Sequence, residues 1–416
     1  LSLGIFLMLS RIYHLEGFFP TRRLGNSLKR NIYPRKQTTK RFQSTFTEED
    51  QYYLSLAVKH AQHGLGHTYP NPAVGCVLVQ NNRIIGEGFH PRAGMPHAEV
   101  FALWQASKHL PNGVAAAQAV LEKTKGKTYS SSSSSSETNL LHQVMQLTQR
   151  YIHSHDDGPK EMFQNLFIGT NTTAYVTLEP CCHLGKRTPP CATSLTLAGV
   201  SRVVVGIRDP NPSVDGGGFL WLQNAGVEVV TATEGTLVHD QCTQLIRNFI
   251  RRMILAALSK TEKASLPSSL ESSQTSKDDI ATSLTGAQKR ALRALAGRQK
   301  TNQKLPKLVW TGASVPSSLV GAEEIEIATK ELPWQASWME ELDALLWDHE
   351  LVILRLNTAV HKKKAARILG DRLSEELKAH LVQVVGHTAL LYRPSIPPIM
   401  QLDELDLEVA AEEEVS

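Results

Sequence analysis

Residues that commonly bind transition metals occur in two short segments of the sequence. The segment PHAEV places His97 two residues before Glu99, and the segment EPCCHLGKRTPPC contains Cys181, Cys182 and Cys191. Catalytic zinc takes three protein ligands and keeps a fourth position for water, whose pKa it lowers towards neutrality. Because His and Cys are preferred zinc ligands, the two segments predict a zinc site, and the nearby carboxylate predicts acid–base chemistry.

The same residues resemble the signature of zinc-dependent nucleobase deaminases, in which a His-x-Glu segment is followed by Pro-Cys and a second Cys. The resemblance implies His97, Cys181 and Cys191 as zinc ligands, with Glu99 moving protons rather than binding metal. Cys182 stays an alternative to Cys181, because a shift of one residue would restore the usual separation of the two cysteine ligands. Zinc that only stabilises the fold is a further alternative, but such a site is closed by a fourth Cys or His and needs no adjacent acid.

Four longer motifs narrow the resemblance to one branch of these enzymes. The sequence contains, in this order, TYPNPAVGCVLV, GEGFHPRAGMPHAEV, AYVTLEPCCHLGKRTPPC and AGVSRVVVGIRDPNPSVDGGG. Together they resemble the deaminase of riboflavin biosynthesis over residues 48–253, which implies a pyrimidine ribonucleotide substrate. Amide and imidazole groups would contact the ring, and a Lys or Arg the phosphate.

The residues that this resemblance assigns to substrate binding are Asn71, His90, His183, Lys186 and Arg187. The family usually has one basic residue where this chain has Lys186-Arg187, so both are candidates. Asp209 and Asn211 in the DPNP segment are interpreted as turn residues.

Strands and helices alternate along residues 48–253, which predicts a three-layer α/β/α domain of the cytidine deaminase-like class. Apolar runs such as TTAYVTLEP and SRVVVGI indicate strands, and Asn81-Asn82 between two such runs indicates a hairpin. His97 and Cys191 lie where helices are predicted to begin. The positive end of a helix dipole favours thiolate and hydroxide there.

Two segments of biased composition precede or interrupt this pattern. Residues 111–170 contain seven consecutive serines, which cannot pack a core, so they predict a surface insertion that is disordered in its middle.

Residues 1–47 carry nine Lys/Arg against Glu16 alone. Such a leader is typical of an organelle transit peptide, for a plastid or alternatively a mitochondrion, although a basic anion-binding arm is a second interpretation. Its apolar run LSLGIFLML is too short to span a bilayer, so no membrane association of the mature protein is expected.

A second, small α/β domain is predicted after a polar linker. Residues 254–283 are rich in Ser, Lys and Asp and indicate the linker. Apolar patterning returns over residues 284–398, which are predicted to form the domain. Residues 399–416 are acidic and are interpreted as a tail. The segments LTGAQKRALRALA and HLVQVVGHTALLYRPS resemble the CRM domain, an RNA-binding module, which implies RNA as a partner. Basic groups such as Lys362-Lys363-Lys364 suit phosphate contacts, although an exposed helix face explains them equally. The G-x-x-G loop of that family is replaced by a longer acidic segment, which predicts weakened RNA binding.

The leading hypothesis is hydrolytic deamination of 2,5-diamino-6-(5-phosphoribosylamino)pyrimidin-4(3H)-one with zinc as cofactor. No glycine-rich phosphate loop follows Met253, so no reductase activity is predicted. One alternative is an RNA-binding protein of ribosome maturation or intron splicing that uses the deaminase fold as a scaffold. Another is an RNA base deaminase whose second domain delivers the substrate. Because polar linkers transmit little rigid coupling, the two domains are expected to act independently.

Overall fold

The computed structural model describes residues 45–124, 135–153, 157–183, 187–211, 216–264, 284–319, 321–396 and 398–402. Its first sheet has five strands in the order β2-β1-β3-β4-β5. They are β1 (Gly75–Gln80), β2 (Arg83–Phe89), β3 (Thr172–Leu178), β4 (Arg202–Ile207) and β5 (Glu228–Thr231). β1 runs antiparallel to β2 and β3, whereas β3, β4 and β5 are mutually parallel. The predicted transit peptide lies outside the described residues, apart from residues 45–47.

The helices that accompany this sheet cover both of its faces. They are α1 (Glu48–Gln62), α2 (Ala98–Ala106), α3 (Gly113–Thr124), α4 (Ser135–His153), α5 (Asp157–Phe163), α6 (Cys191–Ala198), α7 (Gly217–Asn224), α8 (Leu237–Leu245) and α9 (Arg247–Ala264). Side chains alternate between faces along each strand, since successive residues of a strand point to opposite sides. Cys76 and Leu78 of β1 pack into the cluster that contains α2, whereas Val77 and Val79 pack into the cluster that contains α1. The predicted three-layer α/β/α class is confirmed.

The predicted hairpin joins β1 to β2. Asn81 and Asn82 adopt φ angles of 50° and 58°, the left-handed values that a two-residue turn between antiparallel strands requires. Asparagine tolerates this region better than most residues because its short polar side chain can hydrogen-bond locally. The hairpin leads β2 back along the sheet to His90, which enters the candidate site.

The predicted surface insertion differs from expectation on either side of its serines. Helices α3, α4 and α5 all fall within residues 111–170, and their apolar residues belong to the main core. Val144 and Tyr151 of α4 and Phe163 after it are fully buried. Residues 125–134, which hold most of the serine run, lie outside the described residues. The prediction of a surface insertion is therefore wrong for its helices, because their apolar side chains cover one face of the sheet.

A second sheet of four strands has the order β6-β7-β9-β8. Its strands are β6 (Lys307–Val309), β7 (Leu351–Arg355), β8 (His380–Val385) and β9 (Thr388–Tyr392), and its helices are α10 (Gly286–Thr301), α11 (Ala322–Lys330), α12 (Ala336–His349) and α13 (Lys363–Glu376). Leu292 of α10 packs with Leu390 and Tyr392 of β9 in one cluster. Leu342 and Leu369 of α12 and α13 pack in another. The predicted small α/β architecture of this half is confirmed.

Helix α9 connects the two halves more closely than a flexible linker would. It continues to Ala264, beyond the start of the predicted linker, and residues 265–283 lie outside the described residues. Arg251 lies 3.0 Å from a carboxylate oxygen of Asp348, and Arg252 pairs with Glu340 on α12. The two halves are therefore in contact through α9, whereas their functional independence stays a prediction. Among the described helices, none has the length and apolar character needed to cross a membrane.

Candidate active site

Three potential metal ligands meet at the ends of the elements that carry them. His97 is the N-cap of α2, Cys191 is the first residue of α6, and Cys181 follows the carboxyl end of β3. The His97 Nδ1 atom lies 3.5 Å from the sulfur of Cys181 and 3.4 Å from that of Cys191. All three ligand atoms lie within 4.8 Å of one another.

These distances fit zinc. Bonds of about 2.0 Å to nitrogen and about 2.3 Å to sulfur, at tetrahedral angles, place N and S ligand atoms about 3.5 Å apart. Within the part of the chain that the structure describes, the group has one His, two Cys and no fourth ligand. Such a set is typical of a catalytic site that keeps a position for water.

Local electrostatics favour a thiolate at Cys181, one of the two cysteines of the cluster. The side chain of Cys191, followed by the imidazole of His97, holds the pKa of the Cys181 thiol well below its ordinary value against the opposing effect of burial. The backbone N–H of Cys191, at the start of α6, also donates to the Cys181 sulfur over 3.4 Å. Deprotonated sulfur is the form that binds metal.

Glu99 lies beside this cluster without belonging to it. It stands in the first turn of α2, is 3% exposed, and lines the same cavity as His97 and Cys181. Its Oε2 atom is buried with no hydrogen-bond partner among the described residues. Burial raises the pKa of this carboxyl to about 6, where it can both accept and release a proton near neutral pH.

The cavity in front of the cluster has a volume of about 310 Å³, and Asn71, His90 and Arg187 help to line it. His90 Nδ1 lies 3.2 Å from the carbonyl oxygen of Pro96, which can only accept, so Nδ1 carries the proton. Burial lowers the pKa of His90 to about 3, so its other nitrogen accepts from the Asn71 side-chain amide at 3.2 Å. The pair presents neutral hydrogen-bonding groups to the cavity.

Of the remaining predicted residues, the structure describes His183 and Cys182 but not Lys186. His183 is not among the described residues that line the cavity, and Lys186 lies outside the described residues. Cys182 is not part of the ligand group. Its sulfur lies beside the start of α7, where a Cβ on Gly217 would come within 2.7 Å of it. Of the two alternative cysteines, Cys181 is the one placed next to His97.

Four polar residues of the cavity are not among the site residues predicted from the sequence. They are Glu179, Thr188, Asp209 and Asn211, and the sequence predicts only a turn role for the last two. The turn also exists, since Asp209 accepts from the backbone N–H of Asn211 over 2.9 Å. The sequence signal for Glu179 and Asp209 is that each follows the end of a strand. Segments that follow the carboxyl ends of adjacent parallel strands meet at one edge of the sheet.

Glu179 connects the segments that meet at the carboxyl ends of β3 and β4. Its buried carboxylate accepts from the backbone N–H groups of Gly218 at 2.9 Å and of Asp209 at 3.2 Å. The segment after β3, the segment after β4 and the start of α7 thereby share one acceptor. The loop that carries Cys181 is held at the cavity by this carboxylate.

Family models match two parts of the chain. Residues 47–207 match the cytidine and deoxycytidylate deaminase zinc-binding region, and residues 334–393 match the CRS1 / YhbY (CRM) domain. The first match agrees with the cluster formed by His97, Cys181 and Cys191 and confirms zinc as the predicted metal.

Curated relatives resemble about half of the chain. The Riboflavin biosynthesis protein RibD of Escherichia coli is 38% identical over 205 residues, or 49% of this chain and 38% of that protein. The Riboflavin biosynthesis protein PYRD, chloroplastic, of Zea mays is 35% identical over 218 residues, or 52% and 39%. The chain thus spans about two fifths of the length of each of these two relatives.

A shorter relative is covered almost completely. The diaminohydroxyphosphoribosylamino-pyrimidine deaminase of Buchnera aphidicola is 33% identical over 204 residues, or 49% of this chain and 95% of that protein. Among solved structures, RibD of Acinetobacter baumannii has 31% sequence identity and a TM-score of 0.33, with 63% of this chain and 54% of that chain covered.

Proposed function

The chain belongs to the diaminohydroxyphosphoribosylamino-pyrimidine deaminase family, and on that premise we propose that it hydrolytically removes an exocyclic amino group from 2,5-diamino-6-(5-phosphoribosylamino)pyrimidin-4(3H)-one. The observation that carries the proposal is the Glu99 carboxyl, buried in the same cavity as His97 and Cys181. A zinc site that only stabilised the fold would need neither a cavity nor a buried acid. A deaminase needs both.

In this reaction His97, Cys181 and Cys191 would hold the zinc ion, which supplies the Lewis acidity that makes water nucleophilic at neutral pH. Glu99 removes a proton from the attacking water and delivers it to the departing amino nitrogen. Because the His90 and Asn71 side chains are neutral and already hydrogen-bonded to each other, they orient an uncharged pyrimidine ring without reorganising. Water replaces the amino group, and ammonia leaves.

Arg187 is the proposed phosphate contact at the mouth of the cavity. Its side chain is exposed and lines the cavity, and its guanidinium comes within 3.3 Å of the position that a Cβ on Gly94 would take. A guanidinium offers paired donors that match phosphate oxygens. Lys186 and His183 are retained as proposed contacts on the strength of the sequence resemblance alone.

Ammonia release tests the proposal directly. The zinc-loaded chain is incubated with the pyrimidine nucleotide, its dephosphorylated nucleoside, cytidine and single-stranded RNA. We expect release from the nucleotide, with kcat/KM at least about tenfold lower for the nucleoside, because one charge-assisted hydrogen bond is worth about 1.5–3 kcal/mol. Release from RNA alone would favour an RNA base deaminase, and no release from any substrate would favour a deaminase fold used as a scaffold.

A second proposed function is RNA binding by the CRM domain. The observation that favours it is the exposed run Lys362, Lys363 and Lys364 at the start of α13, where the helix dipole also attracts anions. Lys364 lies 3.9 Å from Glu326, a distance that permits exchange for a phosphate partner.

Replacing these three lysines by glutamine should weaken binding of a single-stranded RNA and lower the dependence of log Kd on log salt by up to about two. Fluorescence anisotropy at several salt concentrations measures both quantities. Replacing the exposed Lys330, which pairs with Glu326 at 2.9 Å, is the control and should leave the slope unchanged. An unchanged slope in the triple variant would assign the lysines to a solvated helix face.

We also propose import into a plastid. The support is the basic, acid-poor leader over residues 1–47 and the word chloroplastic in the names of relatives from Zea mays and Arabidopsis thaliana. A fluorescent fusion to residues 1–47 should accumulate in plastids of plant cells. Accumulation in mitochondria would support the alternative organelle.

A further inference from the structure

Helix α9 contacts both the cavity and the second half of the chain. Phe249 in its first turn lines the cavity, and Arg252, three residues later, pairs with Glu340 of α12. Residues three apart on a helix are neighbours on its surface. Arg252 also reaches the loop that contains Asn71.

Arg252 makes four contacts at this position. Its Nη2 atom donates to the carbonyl oxygen of Pro70 over 3.2 Å, and its guanidinium lies 4.9 Å from the centre of the Tyr69 ring. Its Nη1 atom lies 3.0 Å from Glu340 and 2.9 Å from Asp343, both on α12. One side chain therefore joins the 69–72 loop to α12, which lies in the part of the chain that matches the CRM domain, here called the CRM half.

The loop is anchored on both sides of Pro70. Tyr69 is 8% exposed and belongs to the same apolar cluster as Trp338 and Met339 of α12. Asn71 lines the cavity and contacts His90, and its backbone N–H donates to Thr68 over 2.8 Å. A residue buried in the second core is thus two positions from a residue of the active-site cavity.

The carboxylates that hold Arg252 are themselves fixed. The Asp343 side chain is 4% exposed and its other oxygen accepts from Arg393 over 2.8 Å, while Glu340 accepts from Asn248 of α9 over 2.8 Å. Moving Arg252 would leave Asp343 paired with Arg393 but would take the cation away from Glu340, whose side chain is 24% exposed. Arg252 is consequently held in one orientation relative to the loop.

We propose that Arg252 is a positioning residue through which the CRM half holds residues 69–72, and with them Asn71, in place at the deaminase cavity. The second domain then completes the active site in addition to any contact with RNA. The kinetic part of this inference rests on the proposed deamination, whereas the structural part concerns the loop alone.

The sharpest variant is Arg252→Lys, because lysine keeps the positive charge beside Glu340 and Asp343 but loses the planar fork that also reaches Pro70. We expect the KM for the pyrimidine nucleotide to rise about tenfold, with kcat within about threefold of wild type, since a displaced Asn71 removes binding shared by substrate and transition state. Zinc content and melting temperature should stay close to wild type.

Arg251→Lys is the matched control. Arg251 occupies the preceding position of α9 and contacts α12 through Asp348 and the Trp347 ring, 5.1 Å away. It should leave KM within about twofold, because its contacts are remote from the loop. An equal rise in KM for both variants would assign the effect to domain docking as a whole and overturn the role of Arg252.

Hydrogen–deuterium exchange of the zinc-loaded full-length chain provides a readout without substrate. The peptide containing residues 64–74 should exchange at least about threefold faster in Arg252→Lys, and in Glu340→Gln, than in wild type or Arg251→Lys. If the exchange rate of this peptide were unchanged in both Arg252→Lys and Glu340→Gln, the inference would be overturned. If wild type released no ammonia while the exchange difference persisted, the proposed deamination would fail and the structural coupling would stand.

Discussion

Replacing Glu99 by glutamine is expected to lower kcat roughly 10²- to 10⁴-fold while zinc stays bound, because general acid–base catalysis is typically worth that much. Glutamine has nearly the same shape and fills the same buried position, but it cannot accept and release a proton. Glu99 is not part of the ligand group formed by His97, Cys181 and Cys191, so metal content should not change.

The measurement is kcat from ammonia release, with zinc per chain determined by atomic spectroscopy on the same samples. Glu87→Gln is the control, since Glu87 is a carboxylate on β2 that pairs with His60 at 2.8 Å and does not line the cavity. It should retain nearly full turnover. Turnover close to wild type in Glu99→Gln would mean that another group transfers the proton.

The core of the first domain could be predicted because its signals are local. Near-continuous apolar runs in β1, β3 and β4 reflect a sheet buried on both faces. The helix starts at His97 and Cys191 follow from short motifs. The ligand types and their order along the chain then restrict the metal. None of these inferences depends on knowing which distant segments meet.

The helices of the insertion were obscured by composition. Seven consecutive serines dominate the segment, but Leu141, Val144 and Leu147 repeat at the three-residue spacing of a buried helix face, and Tyr151 follows four residues later. A window that excluded the serines would have exposed this pattern. Local apolar periodicity was the stronger signal, since one buried face is sufficient to attach a helix to a sheet.

The contribution of Asp209 and the coupling through Arg252 depend on tertiary contacts. Asp209 reaches the cavity because β3 and β4 end at the same edge, which requires the strand order. Arg252 is far from Glu340 and Pro70 in sequence, and a single sequence does not reveal ion pairs between remote positions. The composition of the linker predicts that the two domains act independently. Contact between the domains depends instead on folded residues outside the linker, such as Arg252 and Glu340.

Replacing Cys191 by serine is expected to remove zinc from the purified chain and with it essentially all turnover. A neutral hydroxyl is a far weaker zinc ligand than a thiolate, and only two strong ligands, His97 and Cys181, would remain. The sulfur lies at the first residue of α6, so a change of one atom alters the ligand without removing a core side chain. The effect should therefore appear first in metal content and only secondarily in stability.

The matched control is Cys182→Ser, which makes the same one-atom change nine positions from Cys191 along the chain but outside the ligand group. It should retain about one zinc per chain and nearly full kcat, since its sulfur lies beside Gly217 rather than His97. Zinc per chain, measured after dialysis against a weak chelator, separates the two assignments. Full retention in Cys191→Ser would contradict the ligand set, and loss in Cys182→Ser with retention in Cys181→Ser would transfer the ligand role to Cys182. Because Cys181 and Cys182 are adjacent in one loop, only a zinc measurement on each variant distinguishes the ligand from its neighbour.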